Sequence, residues 1–429
     1  MNAGSRRVQG VYLLLLTLHT LAASLIWGIN TLFLLDAGLS NTEAFAANAF
    51  FTAGMVLFEI PTGVVADTRG RRTSYLLGTL TLGVSTLLYL LMWRMKAPFW
   101  AWATTSAFLG LGFTFFSGAV QAWLVDALTH AKYFDDGGQL DMVLAKGEIA
   151  EGSAMLIGSV GGGVIAQATN LGLPYLLRAV VLGLTFGFAF FLMRDEGFTP
   201  SRGKHPLQEV KRVLRDSIKD GLGHPPVRWV MLEALLSGGV LIYAFYAMQP
   251  YLLELYGDER AYAVAGLAAA IVAGAQIVGG LIVPQLARVF RRRTTVLLVG
   301  TAASTVMLAL IGLIPNFWVA VTLLVFWGLI YSAIVPVRQS YLNAQIPSKA
   351  RATVLSFDSL LGSTGAAVTQ PLLGKAADVW SYPASYIATA GLQALALPFL
   401  WLARRCCAVS ADILRVDNGV RGEGQTRER

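Results

Sequence analysis

This chain has little charge. Asp, Glu, Lys and Arg together make up 14% of its 429 residues, whereas a soluble globular domain carries about 25%. Such a composition leaves too few ionised groups to cover the surface of a water-soluble protein. Cysteine is nearly absent: Cys406 and Cys407 stand side by side near the end of the chain. They supply neither a disulfide framework nor the ligand spacing of a zinc site. No Gly-x-x-x-x-Gly-Lys-Ser/Thr loop is present, so transport driven by ATP at this chain alone is not expected. The His-Glu-x-x-His and Gly-x-Ser-x-Gly patterns are missing too. Neither an enzyme nor a cofactor or metal is expected.

What is abundant is apolar. Hydrophobic residues make up 55% of the chain and the mean hydropathy is +0.60. The charges are clumped, leaving windows of about 20 apolar residues, enough for a helix to cross about 30 Å of hydrocarbon. A transmembrane barrel would instead show strands of about 10 residues with alternating polarity. The expected fold is all-α and polytopic, with twelve spans at 11–35, 44–66, 73–92, 99–125, 142–167, 175–193, 227–253, 262–287, 294–314, 318–340, 352–377 and 384–403. The basic start of the chain (Arg6, Arg7) resembles a signal peptide, but the apolar run after it is too long and shows no small-residue cleavage site before Asn30.

The net charge of +8 does not make a nucleic-acid surface, because the basic residues are spread among short loops. Their distribution sets topology instead. With both termini inside, every Lys and Arg except Arg94, Lys96, Arg178, Arg260 and Lys375 falls on the cytoplasmic side. The domains expected are 1–193, a linker at 194–226, 227–403 and a polar tail at 404–429. Within the linker, apolar residues at helical spacing alternate with Lys211, Arg212, Arg215 and Lys219, the pattern of an amphipathic helix on the inner membrane surface. The halves repeat weakly: Arg71-Arg72-Thr73 recurs as Arg292-Arg293-Thr294, and Glu148 has Asp358 as its counterpart.

Between the second and third spans lies Gly63-Val-Val-Ala-Asp67-Thr-Arg69-Gly70-Arg71-Arg72. Its spacing resembles the signature loop of the major facilitator superfamily, and the likeness extends across the twelve spans and the six-plus-six split. The resemblance implies two six-helix bundles and secondary transport by alternating access. It also implies a latch formed by Gly63, Asp67, Gly70, Arg71 and Arg72 against helix eleven in the outward-open state. Topology alone, with basic residues stopping a helix, is the competing reading. The stretch Phe58-Glu59-Ile60-Pro61-Thr62-Gly63 looks most like drug-efflux members. Two family features are missing: the Gly-Pro pair in the glycine run Gly158–Gly163, and the helix-four arginine, whose place falls near Ser106.

Carboxylates inside spans are candidates for coupling to protons or cations. Glu151, Asp358, Glu148 and Glu59 are the candidates here; the competing role is pairing with Lys146, Lys349 or Arg351, or, for Glu59, a structural network near the loop. Asp126 and Arg338 are candidates for an inner gate with Asp67. Polar and aromatic groups for a substrate cavity are His19, Asn30, Trp123, Tyr243, Tyr246, Gln249, Gln276, Trp327 and Gln370, each of which could equally serve helix packing or an interface. The expected activity is export of small organic, drug-like compounds in exchange for protons, by a monomer in the cytoplasmic (inner) membrane. A symporter or facilitator of a small polar metabolite is the alternative, and a non-transporting membrane receptor a third.

Overall fold

The structure is a computed structural model and describes residues 3–200, 221–346, 351–407 and 412–414. The amphipathic stretch expected in the linker lies almost wholly outside the described residues, as do Lys349 and most of the tail. Sixteen helices are described. In the first half they are α1 (Ala3–Trp27), α2 (Asn30–Asp36), α3 (Asn41–Arg69), α4 (Arg71–Met95), α5 (Phe99–Thr114), α6 (Ala119–His130), α7 (Leu140–Ala168) and α8 (Gly172–Leu192). In the second half they are α9 (Pro225–Tyr256), α10 (Tyr262–Leu281), α11 (Val283–Val289), α12 (Arg293–Leu313), α13 (Phe317–Gln345), α14 (Arg351–Val379), α15 (Tyr382–Ala394) and α16 (Leu397–Cys406).

Four of the twelve expected spans are broken helices. The first gives α1 and α2, parted at Gly28-Ile29. The fourth gives α5 and α6, parted before Gly118, whose φ of 66° lies in the left-handed region that glycine tolerates. The eighth breaks ahead of Pro284 and the twelfth ahead of Pro398. Eleven helical units among the described residues are long and apolar enough to cross a bilayer. The twelfth, α14, has 29 residues but is more polar. It packs against α9 and α3, so Asp358, Thr369 and Gln370 are buried in protein.

Small residues let these helices approach closely. A side chain at Gly54 or Gly110 would strike the backbone of the partner helix where α3 crosses α5. Gly238 and Gly365 do the same for α9 and α14. Gly158 and Gly162 press α7 onto Ser24 and Leu25 of α1. Helix α3 begins with a capping box: Ser40 accepts from the Glu43 amide, and the Ser40 amide donates to Glu43 at 2.9 Å.

Candidate functional site

The two bundles meet at the end of the molecule that carries Ser40, Tyr262 and Ser381. Asp378, at the end of α14, accepts from the amides of Asn41 and Thr42 at 2.9 and 2.8 Å and from the Thr42 hydroxyl at 2.5 Å. Tyr382 donates to Asn41 at 2.7 Å, and Gln167 accepts from the Ala263 amide at 3.0 Å. Gln249, fully buried, accepts from the Thr31 amide and donates to the Trp27 carbonyl, so it ties α9 to the break between α1 and α2. Gly163 of α7 faces Gly266 of α10, where a methyl group would come within 3.0 Å of the opposing Cα. The hydrogen bonds between bundles described here gather at this end, which is therefore shut.

Below this seam lies a cavity of about 490 Å³ lined by both bundles. His19, Asn30, Tyr246, Gln276 and Glu151 are in its wall. A second cavity of about 340 Å³ lies within the first bundle and is lined by Glu148, Gln121 and Tyr75. His19 and Glu151 belong to both, so Glu151 stands where the two meet. Its carboxylate accepts from Thr20 at 3.5 Å. His19 packs its ring on Phe116, 4.2 Å between centroids, and its Nδ1 is buried without a partner. Asn30 donates to Asn48 at 3.2 Å and accepts from Tyr175 at 3.0 Å.

Other candidates lie elsewhere. Trp123 is buried and donates to the Arg194 carbonyl at 2.7 Å, anchoring the end of the first bundle. Tyr243 is in the core of the second bundle, bonded to Ser385 at 2.6 Å. Trp327 and Gln370 are fully buried and absent from the cavity wall. Each was chosen for residue type alone, which does not tell which way a helix face turns. Asp358 is likewise outside the cavity. It binds Arg338 with both oxygens at 2.6 and 2.8 Å, and Glu233 joins the same guanidinium at 3.3 Å. Asp126 and Arg338 are not brought together: Arg338 is taken up by these acids and by the Val230 carbonyl.

In this conformation, shut at the Ser40 end, the loop residues bond within the first bundle. Asp67 is exposed and pairs with Arg71 at 2.5 Å, one helical turn on. Glu59 accepts from Ser117 at 2.6 Å. Gly70 has φ 105° and ψ 152°, a region essentially reserved for glycine. A side chain there would strike the carboxylate of Asp195, which accepts from the Arg72 amide at 2.8 Å. The second half repeats this arrangement: Asp412 accepts from the Thr294 amide at 2.9 Å. In both halves an acid beyond the sixth span caps the second residue of the helix that follows the loop.

Sequence reasoning missed Asp195, Glu233, Asp378 and Arg178. Asp195 and Asp378 are ordinary acids until their helix-end partners are known, whereas Glu233, inside the span 227–253, carried the same signal as the other acids within spans. Arg178 did carry a signal, as a cation inside an apolar span. It is 4% exposed and lies in the cavity wall with Tyr89. Ser106, where the helix-four arginine was sought, is buried and bonded to Tyr89 at 2.5 Å.

Two helical bundles around a shared central cavity are the architecture of a membrane transporter. The chain belongs to the Major Facilitator Superfamily, whose family model matches residues 12–368 and 261–406. The multidrug resistance protein MdtG of Salmonella paratyphi A is 25% identical over 355 residues, covering 81% of this chain and 82% of that protein. Among solved structures, the POT family transporter PepTSo superposes with a TM-score of 0.72 at 11% identity, covering 94% of this chain and 98% of that one. A bacterial homologue of the human lysosomal transporter Spinster superposes with a TM-score of 0.70 at 15% identity, covering 96% and 99%.

Proposed function

We propose that this transporter exports small amphipathic organic compounds in exchange for protons, with Glu151 as the acid that carries the coupling proton. The observation that carries this reading is the position of Glu151, at the junction of the central cavity and the second cavity. A carboxylate there can exchange protons along one path while substrate occupies the other. The likeness to a multidrug resistance protein supports the substrate class, and the aromatic side chains of Trp27, Phe245 and Tyr246 in the wall support an apolar body. The protein acts as a monomer in the cytoplasmic membrane, with both termini and the Arg69–Arg72 loop in the cytoplasm. Asp67 would meet α14 only after the Ser40 end opens and the loop end closes.

Reconstituted vesicles with an imposed proton gradient, challenged with a panel of organic compounds, test this reading. Expulsion driven by proton entry, and lost in Glu151→Gln, is the expected result. Gradient-driven uptake together with protons would replace it with the second reading, symport of a polar metabolite, which the paired amides of Asn30 and Asn48 favour.

A further inference from the structure

Two arginines lie inside the helical bundles, Arg178 buried and Arg338 half-buried, and the protein treats them in opposite ways. Arg338 is surrounded by acceptors: Asp358 with both oxygens, Glu233, and the Val230 carbonyl. Arg178 has none. Among the described residues its guanidinium makes no side-chain hydrogen bond, no carboxylate oxygen lies within 4.0 Å of it, and its Nε is buried without a partner. It lies six residues into α8, about 9 Å along the helix axis. A guanidinium cannot shed its proton to escape burial. A lone cation at such a site is expensive and marks a function, with its partner supplied from elsewhere.

The neighbours narrow what that partner is. Arg178 lines the cavity shared by the two bundles, one helical turn from Tyr175. Tyr175 stacks on Phe33 at 3.8 Å, and its hydroxyl is committed to Asn30. Tyr89, also in the wall, is committed to Ser106. The hydroxyls of these two neighbours are thus committed to Asn30 and Ser106, and the guanidinium is left to the cavity. The acid of the cavity, Glu151, has its own partner in Thr20.

We propose that the cavity binds organic anions: molecules with a flat apolar body and one carboxylate, sulfonate or phosphate group, the charge being held by the Arg178 fork. Two oxygens of a carboxylate, sulfonate or phosphate accept side by side from the planar guanidinium fork, and exclusion of water strengthens the pair. This deepens the transport reading and rests on it only in taking the cavity as the substrate site; it requires neither export nor proton coupling.

The experiment is equilibrium binding to the purified full chain in detergent, with no gradient. The probes are aromatic carboxylates, 2-naphthoate and pyrenebutanoate, each paired with its primary amide of nearly equal size. For at least one pair, the carboxylate is expected to bind tenfold or more tightly than its amide. Arg178→Gln should remove that preference by weakening the carboxylate while changing the amide less than threefold, and Arg178→Lys should restore part of it. Equal affinity of carboxylate and amide in every pair, including no measurable binding of any carboxylate, overturns the proposal. So does an equal loss for both members in Arg178→Gln. The wild-type comparison decides the matter even if the variants do not fold. Anion preference without proton-driven transport would sink the coupling proposal and leave this one standing.

Discussion

Asp378 sits on the amino-terminal end of α3, 2.8 Å from the amide of Thr42, so the last residues of a helix in one bundle cap the first turn of a helix in the other. The exposed amides of a helix start carry partial positive charge, and a carboxylate there satisfies them. Capping groups of this kind are worth about 1 kcal/mol. Here that energy holds one end of the cavity shut. Asp378→Ala is expected to shift the population toward conformations open at the Ser40 end by about that amount, roughly fivefold. Distance measurements between spin labels placed on α2 and α15 would read the shift.

The same contact is sensitive to acid. Asp378 is exposed and lies just past the apolar stretch that ends at Ala377. Partial burial alone would raise its pKa, but the hydrogen bonds from Thr42 and Asn41 outweigh it and hold the carboxyl below the usual carboxylate range. A lowered pKa means the closed contact binds fewer protons than the open one. Its contribution is therefore full above the ordinary value of about 3.9 and is lost as pH falls through the lowered value. The closed fraction should hold steady from neutral pH to about 4 and fall below it, and the drop should vanish in Asp378→Asn.

Gly163→Ala acts at the same seam. Its methyl group would come within 2.6 Å of the Tyr262 carbonyl and 3.0 Å of Gly266. Both neighbours are backbone atoms of the opposing bundle and can yield only if the bundles part. The variant should fold, favour the state open at the Ser40 end, and label there with impermeant reagents faster than wild type.

Arg338 predicts a loss of stability. Arg338→Met would leave Asp358 and Glu233, both buried, without their cation. Removing one member of such a network costs about 3–5 kcal/mol, which thermal melting in detergent would register. Adding Glu233→Gln and Asp358→Asn should recover most of it, because no buried charge then remains unpaired.

At Gly70 two effects can be separated. Gly70→Ala introduces backbone strain at φ 105° and a clash with Asp195. Strain in this region is worth about 1–3 kcal/mol. Asp195→Gly alone gives up the cap on the Arg72 amide, and Gly70→Ala/Asp195→Gly adds only the strain to that loss, so the gap in melting temperature between these two variants measures the strain without the clash.

The spans were legible because long apolar windows have few alternatives in a chain this poor in charge. The breaks within them were not: nothing local distinguishes Gly28, which parts α1 from α2 where Gly266 of the other bundle approaches, from glycines that pack inside a helix. The marker loop was legible as a motif, yet its partner Asp195 lies in a linker with no pattern of its own. In the cavity, Glu151, His19, Asn30, Tyr246 and Gln276 could be picked out as polar or aromatic groups in apolar spans. Trp123, Tyr243, Trp327 and Gln370 look the same in sequence, because burial against a neighbouring helix and exposure to a cavity place the same demands on a single residue.

The most direct test is access to the cavity from the two sides of the membrane. A single cysteine replaces Ala23, in the cavity wall, in a chain whose Cys406 and Cys407 are changed to alanine. An impermeant thiol reagent should reach it from the side of the Arg69–Arg72 loop in the present conformation, and from the opposite side once Gly163→Ala has parted the seam. Labelling from the same side in both proteins, or from neither side, would contradict alternating access through this cavity.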